Sequence, residues 1–293
     1  MPPEEQMKIT ESHMKYNPAF LSNEALIEGF CVHHGELATL VDIVRKNTLS
    51  ANQHVMTIGQ RGSGKTTLMH RLSAEIAQDP DLQARWFPII CSEELYEVVT
   101  LEDFWLEILF HASKQGSASA ESLHTTYEEL KRNHKNDPKL AALTLTALLD
   151  FSNTIGRRLL VICENMNQLF SGPLGDKEAW GLRRIMQNEP RLMFAATATK
   201  SFDQLEGKDK AFFEVFRLIE LKRLSAEECR ILWRSVAGRE IPASQARALQ
   251  ILTGGLPRLM VLLAHFGRDL SFLNLMENLE RLIDDHTDYF KSG

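Results

Sequence analysis

Residues 54–67, HVMTIGQRGSGKTT, constrain the fold more than any other stretch of the 293-residue chain. They contain G-x-x-x-x-G-K-T, a pattern in which glycines and a lysine hold fixed places. An apolar run of strand type, residues 55–58, leads into it, and Leu68, Leu72 and Ile76 follow at helical spacing. Strand, glycine loop and helix in that order is the context in which such a loop binds phosphate. Gly59, Gly62 and Gly64 permit backbone conformations closed to other residues. Their N–H groups can then turn inward and cradle phosphate oxygens. The helix opening near Lys65 aims the positive end of its dipole at the same anion. Lys65 is expected to reach the β- and γ-phosphates and the Thr66 hydroxyl to ligate Mg²⁺. Gln60, Arg61, Ser63 and Thr67 complete the set of candidate nucleotide-binding positions in the loop.

A chain of this length can bury a sizeable core in one large or two modest domains. Net charge is −6, which argues against a globally basic nucleic-acid binder while leaving room for a local basic face. Cys31, Cys91, Cys163 and Cys229 are far apart and form no CxxC pair, so reduced thiols of a cytoplasmic protein are expected rather than a metal site. No apolar run approaches 18 residues, and the polar N-terminus lacks a signal-peptide core, so no membrane role is expected.

Strand-type and helix-type segments alternate up to about residue 221. Strands are expected at 55–58, 86–91, 159–163, 192–199 and 217–221, the third a continuous apolar run typical of a buried parallel strand. A functional loop is expected at 92–94, after the second strand. Helices are expected from Ser22 to about Phe30, over 36–47, after the phosphate loop, from the capping-box-like Thr100-Leu101-Glu102-Asp103, and over 176–188. Asp79-Pro80 reads as a break. Residues 112–137 are polar and read as a solvated helical insertion, and Asp137-Pro138 opens a further helix to about Gly156. Together these make an insertion over about 112–156. From Ser225 the pattern is helical only, with segments at 243–252, 257–267 and 271–285. The expected organisation is an arm over 1–20, an α/β nucleotide-binding domain over 21–223 and a small all-helical domain over 224–293.

Three further segments carry a resemblance. Residues 160–170, LVICENMNQLF, resemble the Walker B region of AAA+ ATPases, four apolar residues followed by D-E-x-D. In one register Glu164 takes the magnesium-acid place and Asn165 that of the catalytic glutamate, with Asn167 at the final acid. In the other, Cys163 replaces the first acid and Glu164 is the general base. One acid of the usual pair is missing either way, and an amide can position a water but cannot take its proton. Residues 192–199, LMFAATAT, resemble the sensor-1 strand, with Thr197 first and Thr199 next for a contact to the γ-phosphate or the attacking water. Residues 252–258, LTGGLPR, resemble the sensor-2 motif G-x-P-R of the lid domain, as found in the initiator, transposition-regulator and STAND-like clade. The resemblance places Arg258 against the β- and γ-phosphates, a role suited to its planar fork.

The same resemblance implies an arginine finger acting on a neighbouring subunit's nucleotide, with Arg217 favoured and Arg183 and Arg184 as rivals. Residues 30–37, FCVHHGEL, are similar to the F-V-G-R-x-x-E-L box ahead of the loop in initiator-like ATPases, with His33 where Gly or Arg is usual. That similarity makes Phe30 and Val32 candidates for the adenine pocket.

The resemblance thus implies an AAA+-type P-loop fold, a parallel sheet sandwiched by helices with a helical lid. It implies ATP and Mg²⁺ as cofactors, slow ATP hydrolysis, a homo-oligomer, and DNA or a protein of a mobile-element or defence assembly as partner. Relatives often carry a winged helix after the lid; 293 residues leave no room for one, which counts against autonomous DNA binding. The rival expectation is a pseudo-ATPase scaffold that binds ATP with little turnover, and a small-molecule kinase is a minor third.

Overall fold

The computed structural model describes residues 18–91, 98–115, 118–133, 137 and 139–279. The arm at 1–20 up to residue 17, the loop at 92–94, Pro138 and the last helix beyond 279 lie outside the described residues. In chain order the helices are α1 (Asn23–Gly29), α2 (His34–Lys46), α3 (Lys65–Gln78), α4 (Pro80–Arg85), α5 (Leu101–Ser113), α6 (Ala118–Asn133) and α7 (Leu140–Ile155). They continue with α8 (Met166–Phe170), α9 (Asp176–Asn188), α10 (Asp203–Glu206), α11 (Ala226–Ala237), α12 (Ala243–Thr253), α13 (Pro257–Phe266) and α14 (Phe272–Glu277). The strands are β1 (His54–Ile58), β2 (Trp86–Ile90), β3 (Arg158–Cys163), β4 (Leu192–Ala198) and β5 (Phe216–Glu220). Two compact units divide the chain: Gly35–Gly59 with Leu72–Glu220, and the described parts of Met1–His34, Gln60–Arg71 and Leu221–Gly293.

The first unit holds the sheet. Its strands are all parallel, in the order β2-β3-β4-β1-β5, flanked by helices. β3 and β4 are buried along their whole length, which is why they read as unbroken apolar runs rather than alternating ones. β2 is an edge and carries Pro88, whose missing N–H an edge strand tolerates. β4 lies between β1 and β3, pairing Thr57 with Thr197 and Cys163 with Ala196. The C-terminal ends of three strands therefore lie side by side, where parallel sheets place their ligands. Phe104, Trp105 and Phe194 anchor the core, with ring centroids 6.2 Å apart for the Trp105–Phe194 pair and 6.4 Å for the Phe104–Phe194 pair. Burying each such side chain contributes about 2–3 kcal/mol.

The break at Asp79-Pro80 falls between α3, which ends at Gln78, and α4, which Asp79 caps by accepting from the N–H groups of Asp81 and Leu82. One expectation needs correction in this unit. The insertion is not merely solvated, because Leu123, Tyr127 and Leu130 of α6 are buried in the same core as α5 and α7. Their spacing of four and three residues is a helical stripe diluted by charged neighbours. The three short helices α4, α8 and α10 have no sequence counterpart above.

The second unit packs α11 to α13 around Leu224, Leu232, Trp233, Leu249, Met260 and Leu263. Ser225 and Glu228 form a capping box at the start of α11. Ser22 caps α1 and Ser271 caps α14 in the same way, each accepting from a backbone N–H three residues on. Cys31 and Val32 pack against this core.

Candidate functional site

The site begins in the second unit, with the loop 60–64. Gly62 and Gly64 have φ of +81° and +93°, which glycine adopts without the cost an L side chain would meet. Gly59 is not among the positive-φ glycines, and its N–H donates to Ala198 O at 3.1 Å, extending the sheet of the first unit. The ladder of α3 begins where Leu68 N–H donates to Gly64 O, so the N–H groups of the first turn point along the helix axis ahead of it.

Three of the loop carbonyls are held. Gln60 O accepts from Ser63 N–H at 3.1 Å and from Lys65 Nζ at 3.0 Å. Gly62 O accepts from Arg258 N–H at 3.1 Å. Ser63 O lies 3.1 Å from His33 Nε2, so that nitrogen carries the proton and donates. In the Ser63–Gly64 peptide the carbonyl is bonded to His33, so the Gly64 N–H of the same trans peptide points the opposite way, as in an anion nest. Lys65 is buried, with 6% exposure, and Ser63 Oγ is buried with no hydrogen-bond partner among the described residues. A cationic side chain, inward N–H groups and an unsatisfied hydroxyl at a helix N-terminus suit a phosphate chain. Gln60 and Arg61 are exposed at the loop's outer turn, while Thr66 and Thr67 lie in the first turn of α3.

Arg258 reaches this loop through its backbone as well as its side chain. Leu256-Pro257 opens α13, and the Arg258 N–H is one of the orphan donors of that helix end, satisfied by Gly62 O. A Cβ on Gly62 would sit 3.1 Å from Arg258 Cβ and 3.4 Å from its Cδ, so the arginine stem lies on the loop. Gly254 and Gly255, at φ +57° and +69°, turn the chain from α12 into α13. Arg223 was not singled out by the sequence: one guanidinium nitrogen donates to Gly254 O at 2.7 Å and the other to Gln60 Oε1 at 2.6 Å. It joins the turn to the loop, a pairing that spans 163 positions and leaves no local signal.

The box at 30–37 divides. Phe30 meets His34 edge-on at 5.3 Å and lies under the Arg71 guanidinium at 5.8 Å. Val32 is half-buried and packs against the helical core. His33 is buried at φ +62°, a left-handed backbone that glycine takes without cost.

In the first unit, Glu164 directly follows β3 and is buried, with 3% exposure. Asn165 follows at φ +53°, ψ 37°, and its N–H donates to Thr197 Oγ1 at 3.1 Å. The hydroxyl of the buried Thr197 is thereby an acceptor, which leaves its own proton to be donated elsewhere. Thr199 is committed: its N–H donates to Asn167 Oδ1 at 2.9 Å and its hydroxyl accepts from Asn167 Nδ2 at 3.0 Å. The second-choice sensor residue is thus a partner of Asn167. Cys163 turns into the core, its sulfur 3.8 Å from that of Cys91, whose thiol it holds well above the ordinary range together with burial. Of the arginine-finger candidates, Arg183 donates to the carbonyls of Ala211 and Phe213 at 2.7 and 3.1 Å and braces that loop. Arg184 on α9 and Arg217 on the edge strand β5 are exposed. Among the described residues no cluster of three or more His, Cys, Asp or Glu side chains is placed to hold a metal ion, and no helix is long and apolar enough to cross a membrane.

No protein-family model and no curated protein sequence matches the chain. Solved structures do. A Walker-type ATPase of Pyrococcus abyssi is similar over 89% of this chain and 74% of its own, with 14% identity and a TM-score of 0.60. The ORC2 protein of Aeropyrum pernix, in its ADPNP–ADP complexes, is similar over 85% of this chain and 68% of its own, with 16% identity and a TM-score of 0.59. The ORC1 protein of the same organism, in complex with DNA, covers 86% of this chain and 66% of its own, with 16% identity and a TM-score of 0.54. At these identities the likeness establishes the fold, which is that of the AAA+ P-loop ATPases, with a helical C-terminal region that fits their lid.

Proposed function

We propose that this protein is an ATP-dependent switch: it binds ATP with Mg²⁺, hydrolyses it slowly, and changes its contacts with a partner as it does so. The observation that carries this reading is the loop 60–64, where two left-handed glycines, outward carbonyls and the buried Lys65 make an anion nest. The solved neighbour with bound ADPNP and ADP supports ATP as the ligand. Residues 21–223 are read as the nucleotide-binding domain and 224–293 as the lid.

Each residue has a role in this reading. The N–H groups of Gly62, Gly64 and Thr67 and the Ser63 hydroxyl hold the phosphates, and Lys65 offsets their charge. Thr66 and Glu164 would be the oxygen donors for Mg²⁺, which would supply charge neutralisation on the phosphates. Thr197 donates its hydroxyl proton toward the attacking water or the γ-phosphate. Arg258 senses the β- and γ-phosphates from a helix end already bonded to the loop. The core position of the Cys163 thiol favours the register in which Glu164 is the metal acid and Asn165 stands in the base position. Arg217 or Arg184 would serve as the finger in a homo-oligomer.

Asn165 favours a second reading. Its amide cannot take a proton from water, and its left-handed backbone suits asparagine for a conformational reason. The protein would then be a scaffold that binds ATP and a partner protein with little turnover. Phosphate release by the purified protein separates the two. Turnover abolished by Lys65→Ala supports the ATPase, and retained ATP binding without turnover supports the scaffold. The reading includes a place in a DNA-transaction, mobile-element or defence assembly, and the DNA-bound neighbour supports only the DNA part of it. Particle size with and without ATP and double-stranded DNA tests that part: an ATP-dependent oligomer that shifts with DNA supports it, and no DNA effect points to a protein partner.

A further inference from the structure

We propose that His33 is a positioning residue for the phosphate-binding loop, holding the Ser63–Gly64 peptide in the orientation that keeps its N–H facing the anion. This rests on the reading of residues 60–64 as that loop. The imidazole of His33 is buried, and its Nε2 lies 3.1 Å from Ser63 O. The ring also covers Gly64: a Cβ built there would sit 3.7 Å from His33 Cδ2. The peptide between residues 63 and 64 is the one most in need of such a hold. Gly64 has φ +93° but, having no Cβ, populates the opposite sign about as readily. A flip of this peptide plane is therefore cheap, and it exchanges the N–H for the C=O. A carbonyl facing the cradle would present partial negative charge to a phosphate, while the N–H attracts it.

A donor bonded to Ser63 O decides between the two orientations, and His33 supplies it from 30 positions away. The preceding peptide is fixed in the same manner by Arg258 N–H on Gly62 O. The loop is thus clamped from the segment before it and from the helix end that follows much later. His33 holds φ +62°, a region that non-glycine residues enter at a cost and keep only where the surroundings fix them. The cost is offset by the ring's bond to the loop.

The test compares His33→Leu with His33→Gln. The two side chains are similar in bulk and bring the same backbone burden, but only glutamine carries an amide nitrogen to the place of Nε2. Binding of a fluorescent ATP analogue and of ADP is measured for the full chain, alongside melting temperature. The Leu variant is expected to lose about tenfold in affinity for both nucleotides, the size of one lost hydrogen bond. The Gln variant is expected to stay within about threefold of the parent, while both variants melt lower by similar amounts. Equal affinity losses in the two variants, or none in the Leu variant, overturn the proposal. If the parent binds neither nucleotide, the reading of the loop fails first and the role of His33 fails with it.

Discussion

Asn165 concentrates the functional question in one residue. At φ +53° it occupies a conformation that asparagine tolerates and that costs most other residues about 1–2 kcal/mol. Asn165→Glu is expected to lower stability by about 1 kcal/mol and, in the register that puts residue 165 in the base position, to raise the rate of phosphate release at least about tenfold. A less stable protein with unchanged turnover would return the base role to Glu164. His54 is a separate case, buried at the start of β1. Phe194 N–H donates to its Nδ1 and its Nε2 donates to Met186 O, both at 3.0 Å, so the neutral ring is fully used. Burial pushes its pKa down to about 4 from an ordinary 6.5. Between those values the unfolded chain binds a proton that the folded chain refuses. The stability contributed by His54 is whole above about pH 6.5 and is lost as the pH falls toward 4, by about 3 kcal/mol across the window. Urea denaturation at pH 7 and pH 4.5 should show a drop that His54→Asn largely removes, and an equal drop in both proteins would contradict the assignment.

The turn between α12 and α13 shows how much an element boundary can carry. Gly255 holds φ +69°, and a Cβ there would sit 2.6 Å from the Leu224 carbonyl oxygen. Gly156, after α7, holds φ +67° with nothing within 4 Å of such a Cβ. Gly156→Ala is expected to cost only the conformational term, about 1 kcal/mol. Gly255→Ala adds a clash with backbone that cannot step aside and is expected to cost about 3 kcal/mol or more by chemical denaturation. Comparable costs at the two sites would show that the Leu224 contact yields easily. This turn was legible in the sequence because Gly-Gly followed by Leu-Pro ends one helix and starts another by local chemistry alone. The helices capped by Ser22, Thr100 and Ser225 were legible for the same reason. The buried stripe of α6 was not, since Leu123, Tyr127 and Leu130 sit among Glu, Lys and Arg that mask their period. His33 and Arg223 were hidden more deeply. Their partners lie 30 and 163 positions away, and no local pattern encodes a contact at that separation.

For the molecule as a whole, the alternation of apolar strands and amphipathic helices was enough to give a parallel α/β sheet with a helical C-terminal region. The placement of β4 between β1 and β3 was not, because strand order depends on how crossovers pack and each strand's composition is compatible with several neighbours. That order matters for function, since it puts Thr197 beside Thr57 on one side and ties it to Asn165 on the other. The central claim is that the chain binds ATP through the loop at 60–67. Titration calorimetry of ATP with Mg²⁺ into the full chain and into Lys65→Ala tests it most directly. Saturable binding by the parent, weakened about a hundredfold or more in Lys65→Ala, is the expected result. A parent that binds no ATP, or a Lys65→Ala variant that binds as tightly as the parent, would contradict it.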